Sequence, residues 1–150
     1  MMPYNVLTLN QDNLNDWSIL RQLLWPHHSI DAHLVDGHNI ICSEHLNAFI
    51  LQDQSGQYIG FADASIRYDY VNGCQHSPVV YLEGLFILKD YRRLGLSSLL
   101  VSKVEKWGKA YGCLELASDT AITNDVAQNM HKKLGFIETE TVMFFKKDLD

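Results

Sequence analysis

Apolar residues recur along this chain with two different periods, which predict a protein that mixes strands with helices. Apolar or alternating runs predict strands near residues 6–9, 48–52, 58–67, 79–88, 113–118 and 139–147. Apolar positions at helical spacing predict helices near residues 14–24, 31–43, 94–111 and 125–134. The predicted order is therefore β-α-α-β-β-β-α-β-α-β.

The connections between these elements predict a mixed sheet. The turn at residues 53–56 joins two strands as a hairpin, which makes those strands antiparallel. The strand that ends near Leu88, the helix after Gly95 and the next strand form a crossover unit, which requires a parallel pair. The crossover helix has its apolar residues on one face, which predicts the core side: Leu96, Leu99, Leu100, Val104, Trp107 and Tyr111. The fold class is therefore α/β (α+β), a mixed central sheet flanked by helices.

Length and charge limit the function further. A chain of 150 residues predicts one domain, residues 1–150, that buries roughly two-thirds of its unfolded surface. The content of 47% hydrophobic and 20% charged residues is typical of a globular protein. Twelve basic against 18 acidic residues give a net charge of −6, which argues against nucleic acid as a partner and suits a cationic substrate.

The cysteines and histidines predict neither a disulfide framework nor a metal site. Cys42, Cys74 and Cys113 are far apart, and with the lack of a signal peptide they predict reduced thiols and a cytoplasmic location. No apolar run approaches the roughly 18 residues that span a membrane. Five histidines between residues 27 and 45 do not match a zinc spacing, so we expect no metal.

The junction between the central strand and the crossover helix predicts a phosphate site. The first amides of a helix have no intrahelical partner, and the helix dipole places partial positive charge there. Gly95 lets the backbone approach an oxyanion, and Arg92 and Arg93 add fixed positive charge. Neither a P-loop nor a Gly-x-Gly-x-x-Gly motif occurs, so the two common nucleotide loops are excluded.

Glu83 is the most unusual residue of the central strand, because it lies in an otherwise apolar run. A carboxylate there is costly unless it is paired or lines a cleft. It is either an edge residue in a salt bridge or a cleft carboxylate that binds an amine or accepts its proton. Gly84 beside it indicates a bulge or the close approach of another backbone segment.

Two polar residues near predicted strand and helix ends are further candidates. Asp119 follows the strand at 113–118, at the edge where ligands gather in open α/β sheets, although a turn residue of this type is also common there. Asn124 precedes a helix, where asparagine is a frequent N-cap.

Exposed aromatic residues on loops commonly serve binding, which favours Tyr68 and Tyr70. Trp25 by itself is more typical of a core, and His28 close to it suits a pocket wall.

Two motifs in the right order resemble the GCN5-related N-acetyltransferases. The pyrophosphate loop of that family, Gln/Arg-x-x-Gly-x-Gly/Ala, is matched by Arg92, Gly95 and Ser97, with serine in place of glycine or alanine. The segment from Asn124 to Phe136 resembles the family's Asn-to-Gly-Phe motif. The resemblance covers nearly the whole chain and implies that family's fold.

Several stretches resemble the aminoglycoside 6'-N-acetyltransferases in particular, at residues 24–28, 64–73, 82–86, 117–119 and 134–140. This resemblance implies acetyl-CoA as donor, the 6'-amine of an aminoglycoside antibiotic as acceptor, antibiotic resistance as the outcome, and a homodimer. It implies cofactor contacts at Leu85, Phe86, Ile87, Arg92, Arg93, Leu94, Gly95, Leu96, Ser97 and Ser98. It implies substrate contacts at Trp25, His28, Tyr70, Glu83, Asp119, Asn124 and Glu140.

The expected mechanism is direct attack of the neutral amine on the thioester in a ternary complex, because none of the three cysteines lies in a motif with a histidine and an acyl-enzyme therefore has no evident nucleophile. Glu83 is the expected base, directly or through water, Asp119 a second catalytic carboxylate, and a backbone N–H near Leu85 the group that polarises the thioester carbonyl. Many family members have a tyrosine four residues before the glycine of the Gly-Phe pair, where it protonates the leaving thiolate. Here that residue is His131, which is a proton donor, a cofactor contact or a packed helix residue. Acetylation of another polyamine such as spermidine, or an inactive acyl-CoA-binding regulator, are the alternative functions.

Overall fold

A computed structural model describes residues 3–150, which form two compact units that divide after Asp119. The first unit contains β1 (Asn5–Thr8), α1 (Leu14–Leu24), α2 (Ile30–Cys42), β2 (Leu46–Gln52), β3 (Tyr58–Arg67), β4 (Val79–Ile87), a short 3₁₀ turn (Lys89–Tyr91), α3 (Leu96–Ala110) and β5 (Leu116–Ala117). The second unit contains α4 (Asp125–Lys133).

The five strands form one sheet in the order β1-β2-β3-β4-β5. Neighbouring strands are antiparallel except β4 and β5, which are parallel. The predicted mixed sheet and its parallel crossover pair are therefore confirmed. A hairpin joins β2 to β3, and the carboxylate of Asp53 fixes its turn by accepting hydrogen bonds from the backbone N–H groups of Ser55 and Gln57.

The central strand β3 is buried along nearly its whole length, because helices pack against the sheet. On the side of α1, Trp17 and Phe61 pack edge to face with ring centroids 6.3 Å apart. On α3 the buried residues are Leu96, Leu100, Val101, Val104 and Gly108. A Cβ built on Gly108 would lie 2.5 Å from Val80 Cγ1, so α3 packs very closely on β4.

A β-bulge interrupts β4 at the point that the sequence predicts. Asp63 on β3 pairs with Gly84, but its neighbour Ala64 pairs with Leu82, so Glu83 has no partner residue in the ladder. A Cβ built on Gly84 would lie 2.4 Å from Trp25 Cη2. The bulge predicted at Gly84 is therefore confirmed, and the group that approaches this glycine is the side chain of Trp25 and not another backbone segment.

The predicted terminal strand at residues 139–147 is wrong, because residues 134–150 contain neither helix nor strand. The local alternation is present, but a strand forms only where a neighbouring strand completes its hydrogen bonds. Phe144 and Phe145 are instead 92% and 86% exposed. β5 is also shorter than predicted, with two residues in place of six. Within the described part of the chain, no helix has the length and apolar character that crossing a membrane requires.

Candidate active site

The sheet opens between β4 and β5, and this opening frames the candidate site. β5 pairs only with Val80 and Tyr81, so among the described residues no strand pairs with residues 84–87 on that side of β4. Burial changes at the same point, from buried residues 79–82 to exposed or half-buried residues 83–86. The opening therefore leaves a stretch of strand backbone for an extended ligand.

The backbone of Leu85 and Ile87 is directed towards this open edge. The N–H of Leu88 donates to the carbonyl of Ile59 on β3 over 2.8 Å. Because hydrogen-bonding sides alternate along an antiparallel strand, Phe86 also bonds to β3, while Leu85 and Ile87 present their N–H and C=O groups to the opposite side. In agreement, the carbonyl of Ile87 accepts a hydrogen bond from Arg92 Nε over 2.8 Å.

The N-terminus of α3 has the features of an anion site. Gly95 is its N-cap with φ of +73°, and no side chain caps the helix. Among the described residues, no hydrogen bond engages the N–H groups of Leu96 and Ser97 at the start of this helix, so these groups stay available to a ligand. A Cβ on Gly95 would meet nothing within 4 Å, so the space around it is open. The N–H and hydroxyl groups of Ser98 both bond to the carbonyl of Gly95.

Two exposed arginines precede this turn. Arg93 has φ of +65°, an uncommon value for a residue with a side chain and one that often occurs at functional sites. The guanidinium of Arg92 lies 5.6 Å from the centroid of the Phe86 ring, in addition to its bond to Ile87. The residues predicted to hold the pyrophosphate thus surround one uncapped helix end.

Glu83 is exposed and paired. Its Oε1 accepts hydrogen bonds from Ser65 Oγ over 2.6 Å and from Arg67 Nη2 over 2.7 Å. The side chains of Arg67 and Glu83 are 42% and 36% exposed. The salt bridge, which was one of the two alternatives for Glu83, is therefore present. Glu83 is also exposed, as the other alternative, a cleft carboxylate, requires.

Asp119 lies two residues after β5, at the carboxyl end of that strand. Its Oδ2 accepts a hydrogen bond from the hydroxyl of Tyr81, a buried residue of β4. Burial, followed by this hydrogen bond, raises the pKa of Tyr81, so the hydroxyl stays protonated as a donor. The ring of Tyr81 in turn lies under the guanidinium of Arg67, 3.5 Å from its centroid. Glu83 and Asp119 are therefore connected through two intervening side chains.

Trp25 and His28 follow α1 on the side of the bulge. The Trp25 ring packs against Gly84 and lies 6.3 Å from Phe61, edge to face. His28 is exposed, and its ring lies 5.8 Å from that of His33. Trp25 thus packs against the core, as predicted, and it also contacts the residue next to Glu83.

Tyr70 is 74% exposed on the loop that connects β3 to β4. Glu115 anchors the other end of this loop, because its carboxylate accepts hydrogen bonds from the backbone N–H groups of Gln75 and His76 and from the His76 ring. The hydroxyl of Ser77 also donates to the carbonyl of Tyr68. Tyr70 is therefore displayed on a loop that is fixed at its base.

The second unit contains the remaining candidates. Asn124 caps α4 by accepting a hydrogen bond from the N–H of Ala127 over 3.0 Å, as the simpler interpretation predicted. His131 Nδ1 lies 2.6 Å from the carbonyl of Ala127, so Nδ1 must carry a proton. The His131 ring also packs against Phe136, at 5.1 Å. Glu140 is exposed.

A buried network next to this site was not predicted from the sequence. Asp63 is 3% exposed and accepts hydrogen bonds from Trp17 Nε1 and Arg21 Nε, each over 2.9 Å. Burial raises the pKa of Asp63 to about 6 although Arg21 opposes the shift. Arg21 also lies 4.9 Å from the centroid of the Trp25 ring. A charged residue inside the apolar run of β3 was the available signal, since the same signal identified Glu83 on β4.

In the described residues, no group of three or more histidine, cysteine or acidic side chains could hold a metal ion. The arrangement instead combines an open strand edge, an anion site and two exposed carboxylates. These groups can bind a phosphate-bearing extended ligand beside a cationic one.

Comparisons with known proteins agree with this arrangement. The profile of the Acetyltransferase (GNAT) family matches residues 11–136. Aminoglycoside N(6')-acetyltransferase type 1 of Salmonella typhimurium is 49% identical over 143 residues, which cover 95% of this chain and 98% of the relative. The solved structure of AAC(6')-Iy with the bisubstrate analog CoA-S-monomethyl-acetylneamine has a TM-score of 0.94 and 48% identity, and covers 97% of this chain and 99% of that one. A second structure of AAC(6')-Iy, in complex with CoA, has a TM-score of 0.95 and 46% identity over 99% and 100% of the two chains. The chain therefore belongs to the Acetyltransferase (GNAT) family and, within it, to the aminoglycoside N(6')-acetyltransferase type 1 proteins.

Proposed function

We propose that this protein transfers an acetyl group from acetyl-CoA to the 6'-amino group of aminoglycosides, and thereby confers resistance to these antibiotics. The observation that carries the proposal is similarity over nearly the full length, at 49% identity, to an enzyme named for this reaction. A structural neighbour that binds a CoA–acetylneamine analog supports both substrates. We propose that residues 1–150 act as one N-acetyltransferase domain.

The donor side of the site fits acetyl-CoA, which supplies the acetyl group as a thioester. The segment from Arg93 to Ser98, which includes the uncapped start of α3, would hold the pyrophosphate with backbone N–H groups, and Arg92 adds positive charge. The backbone of Leu85 and Ile87 would pair with the pantetheine arm. The N–H of Leu85 would polarise the thioester carbonyl, because charge that develops on its oxygen is stabilised by a fixed donor.

On the acceptor side, Glu83 would take the proton of the attacking amine, directly or through water. Its Oε1 is engaged by Ser65 and Arg67, so Oε2 is the oxygen that would serve as base. Asp119 would bind a substrate ammonium group. The further residues that would contact the aminoglycoside are Trp25, His28, Tyr70, Asn124 and Glu140.

Direct transfer is the mechanism that these residues support. In the described part of the chain, no cysteine side chain hydrogen-bonds to a histidine, so a thiolate activated for a ping-pong reaction is lacking. His131 would return a proton to the leaving thiolate.

We also infer a homodimer in the cytoplasm. The segment at residues 142–145 exposes Val142, Met143, Phe144 and Phe145, and monomeric proteins rarely expose contiguous apolar groups of this size. Sedimentation at micromolar concentration should give about 34 kDa, twice the 17.2 kDa of one chain, and a Phe144→Ser/Phe145→Ser variant should shift towards the monomer. A wild-type monomer would contradict the dimer. Free Cys42, Cys74 and Cys113 agree with a reducing compartment.

Steady-state acetylation tests the function. Kanamycin and neamine should be acetylated efficiently and spermidine poorly, because spermidine offers amines without the sugar scaffold. A higher kcat/KM for spermidine would favour the polyamine alternative. Acetyl-CoA binding without turnover of any acceptor would favour the inactive regulator.

A further inference from the structure

Tyr81 lies where the supports of the two acceptor carboxylates meet. Its hydroxyl donates to Oδ2 of Asp119, and its ring lies under the guanidinium of Arg67. Arg67 Nη2 in turn donates to Glu83 over 2.7 Å. One side chain of β4 thus contacts both branches of the network.

We propose that Tyr81 is a positioning residue that holds both acceptor carboxylates in place, Asp119 through its hydroxyl and Glu83 through the arginine stacked on its ring. The inference rests on the proposed function, in which Glu83 and Asp119 contact the aminoglycoside. It extends that function to a residue that does not itself touch the substrate.

The hydroxyl branch follows from burial. Tyr81 is only 7% exposed, and a buried phenol needs a hydrogen-bond partner, which Asp119 provides. Asp119 follows the last strand of the sheet and is itself exposed, so its position depends on few contacts. The bond to Tyr81 therefore fixes a carboxylate that would otherwise have rotational freedom.

The ring branch follows from the geometry of Arg67. This side chain is 42% exposed, and a solvated arginine has several rotamers of similar energy. A distance of 3.5 Å to the ring centroid is a close stack, which suits a planar guanidinium. The stack holds Nη2 and Nε towards Oε1 of Glu83, at 2.7 and 3.2 Å.

Each carboxylate retains one oxygen for the substrate. In the described residues, the hydrogen bonds to these two groups involve only Oε1 of Glu83 and Oδ2 of Asp119. Oε2 and Oδ1 remain for a base and an ammonium ligand. Because both side chains are fixed before binding, a polycationic acceptor does not have to order them.

The hydroxyl branch is tested with Tyr81→Phe, Asp119→Asn and the double variant. Tyr81→Phe keeps the ring under Arg67 and should raise the KM for neamine about tenfold, with the KM for acetyl-CoA unchanged. In the Asp119→Asn background, the same change should add almost nothing, since the group that it positions is gone. Tyr91→Phe is the matched control, because Tyr91 also donates to an aspartate, Asp53, over 2.9 Å, and should keep the neamine KM.

The outcomes separate this inference from the proposed function. If Asp119→Asn leaves the neamine KM unchanged, Asp119 does not bind the substrate, and the proposal that Tyr81 positions Asp119 for the substrate also fails. If Asp119→Asn raises the KM but Tyr81→Phe does not, or if the two effects multiply in the double variant, Tyr81 does not position Asp119. An equal rise of both KM values in Tyr81→Phe would show a general structural role and would also overturn the inference.

The ring branch is tested with Tyr81→Leu and Arg67→Met. Tyr81→Leu removes hydroxyl and ring together, and it should lower kcat further than Tyr81→Phe because Glu83 loses its orientation. Arg67→Met should reproduce that additional loss in kcat with the hydroxyl branch intact, which makes it informative even if Tyr81→Leu does not fold. A wild-type kcat in Arg67→Met would overturn the ring branch.

Discussion

The contact between Gly84 and Trp25 offers the most direct test of how the site is built. Gly84→Ala adds one methyl group at the bulge, beside Glu83. That Cβ would lie 2.4 Å from Trp25 Cη2 and 2.9 Å from Cζ2. Carbon atoms in contact are normally about 3.5–4 Å apart, so the ring must retreat by about 1 Å or the bulge must open.

The size of the effect follows from what surrounds the ring. Arg21 lies 4.9 Å from the Trp25 centroid and Phe61 lies 6.3 Å away, so the ring has little room to move. Overpacking of this kind costs about 1–3 kcal/mol, and alanine regains roughly 0.5–1 kcal/mol over glycine in a strand. The midpoints of these two ranges give a net loss of about 1 kcal/mol, which lowers the Tm by about 2–4 °C for a chain of this length.

Chemical denaturation and steady-state kinetics measure the two consequences of Gly84→Ala. The free energy of unfolding should fall as stated, and the KM for neamine should rise because Trp25 is displaced. In a Trp25→Phe background, where the atoms that clash are absent, Gly84→Ala should cost almost nothing. An undiminished penalty in that background, or a single variant as stable as the wild type, would show that the Trp25 ring does not limit the space at Gly84.

Three further predictions follow from other parts of the site. Gly95→Val should raise the KM for acetyl-CoA with the fold retained, whereas Gly112→Val should not, although both glycines have positive φ and open surroundings. Because the pKa of Asp63 is raised to about 6, the folded protein binds a proton between about pH 6 and pH 4 that the unfolded chain does not, so Asp63 adds stability as the pH falls. The free energy of unfolding of the wild type, minus that of Asp63→Asn, should therefore increase by about 1 kcal/mol from pH 7.5 to pH 5. An identical dependence of the unfolding free energy on pH in the two proteins would contradict this. Glu83→Gln should lower kcat/KM by about 10²–10⁴-fold and flatten the acid limb of its pH profile, and an unchanged limb would exclude Glu83 as base.

The elements that local patterns determine were predictable from the sequence. The bounds of β3 were predicted without error, and those of α2 and α4 within one residue, because turns and caps act over a few residues. The bulge at Gly84 was predictable for the same reason, as a glycine beside a charged residue in an apolar run.

Features that depend on pairing between distant segments were not predictable. The stack of Arg67 on Tyr81 and the bond from Tyr81 to Asp119 follow from strand register, which one sequence does not reveal. The apolar stripe of α3 shows the same limit, since Val101 is buried while Trp107 is only half-buried. A helical period gives the spacing of a buried face, but the neighbouring strands decide its centre.

The position of the transferred acetyl group is the decisive test of the proposed 6'-N-acetyltransferase activity. Neamine and paromamine form a matched pair of acceptors, because they differ only in an amine or a hydroxyl at the 6' position. Incubation of each with acetyl-CoA and the enzyme, followed by mass spectrometry and NMR, should give neamine with one acetyl group on the 6' nitrogen and leave paromamine unmodified. An acetyl group on any other nitrogen of neamine, or equal acetylation of paromamine, would contradict the account.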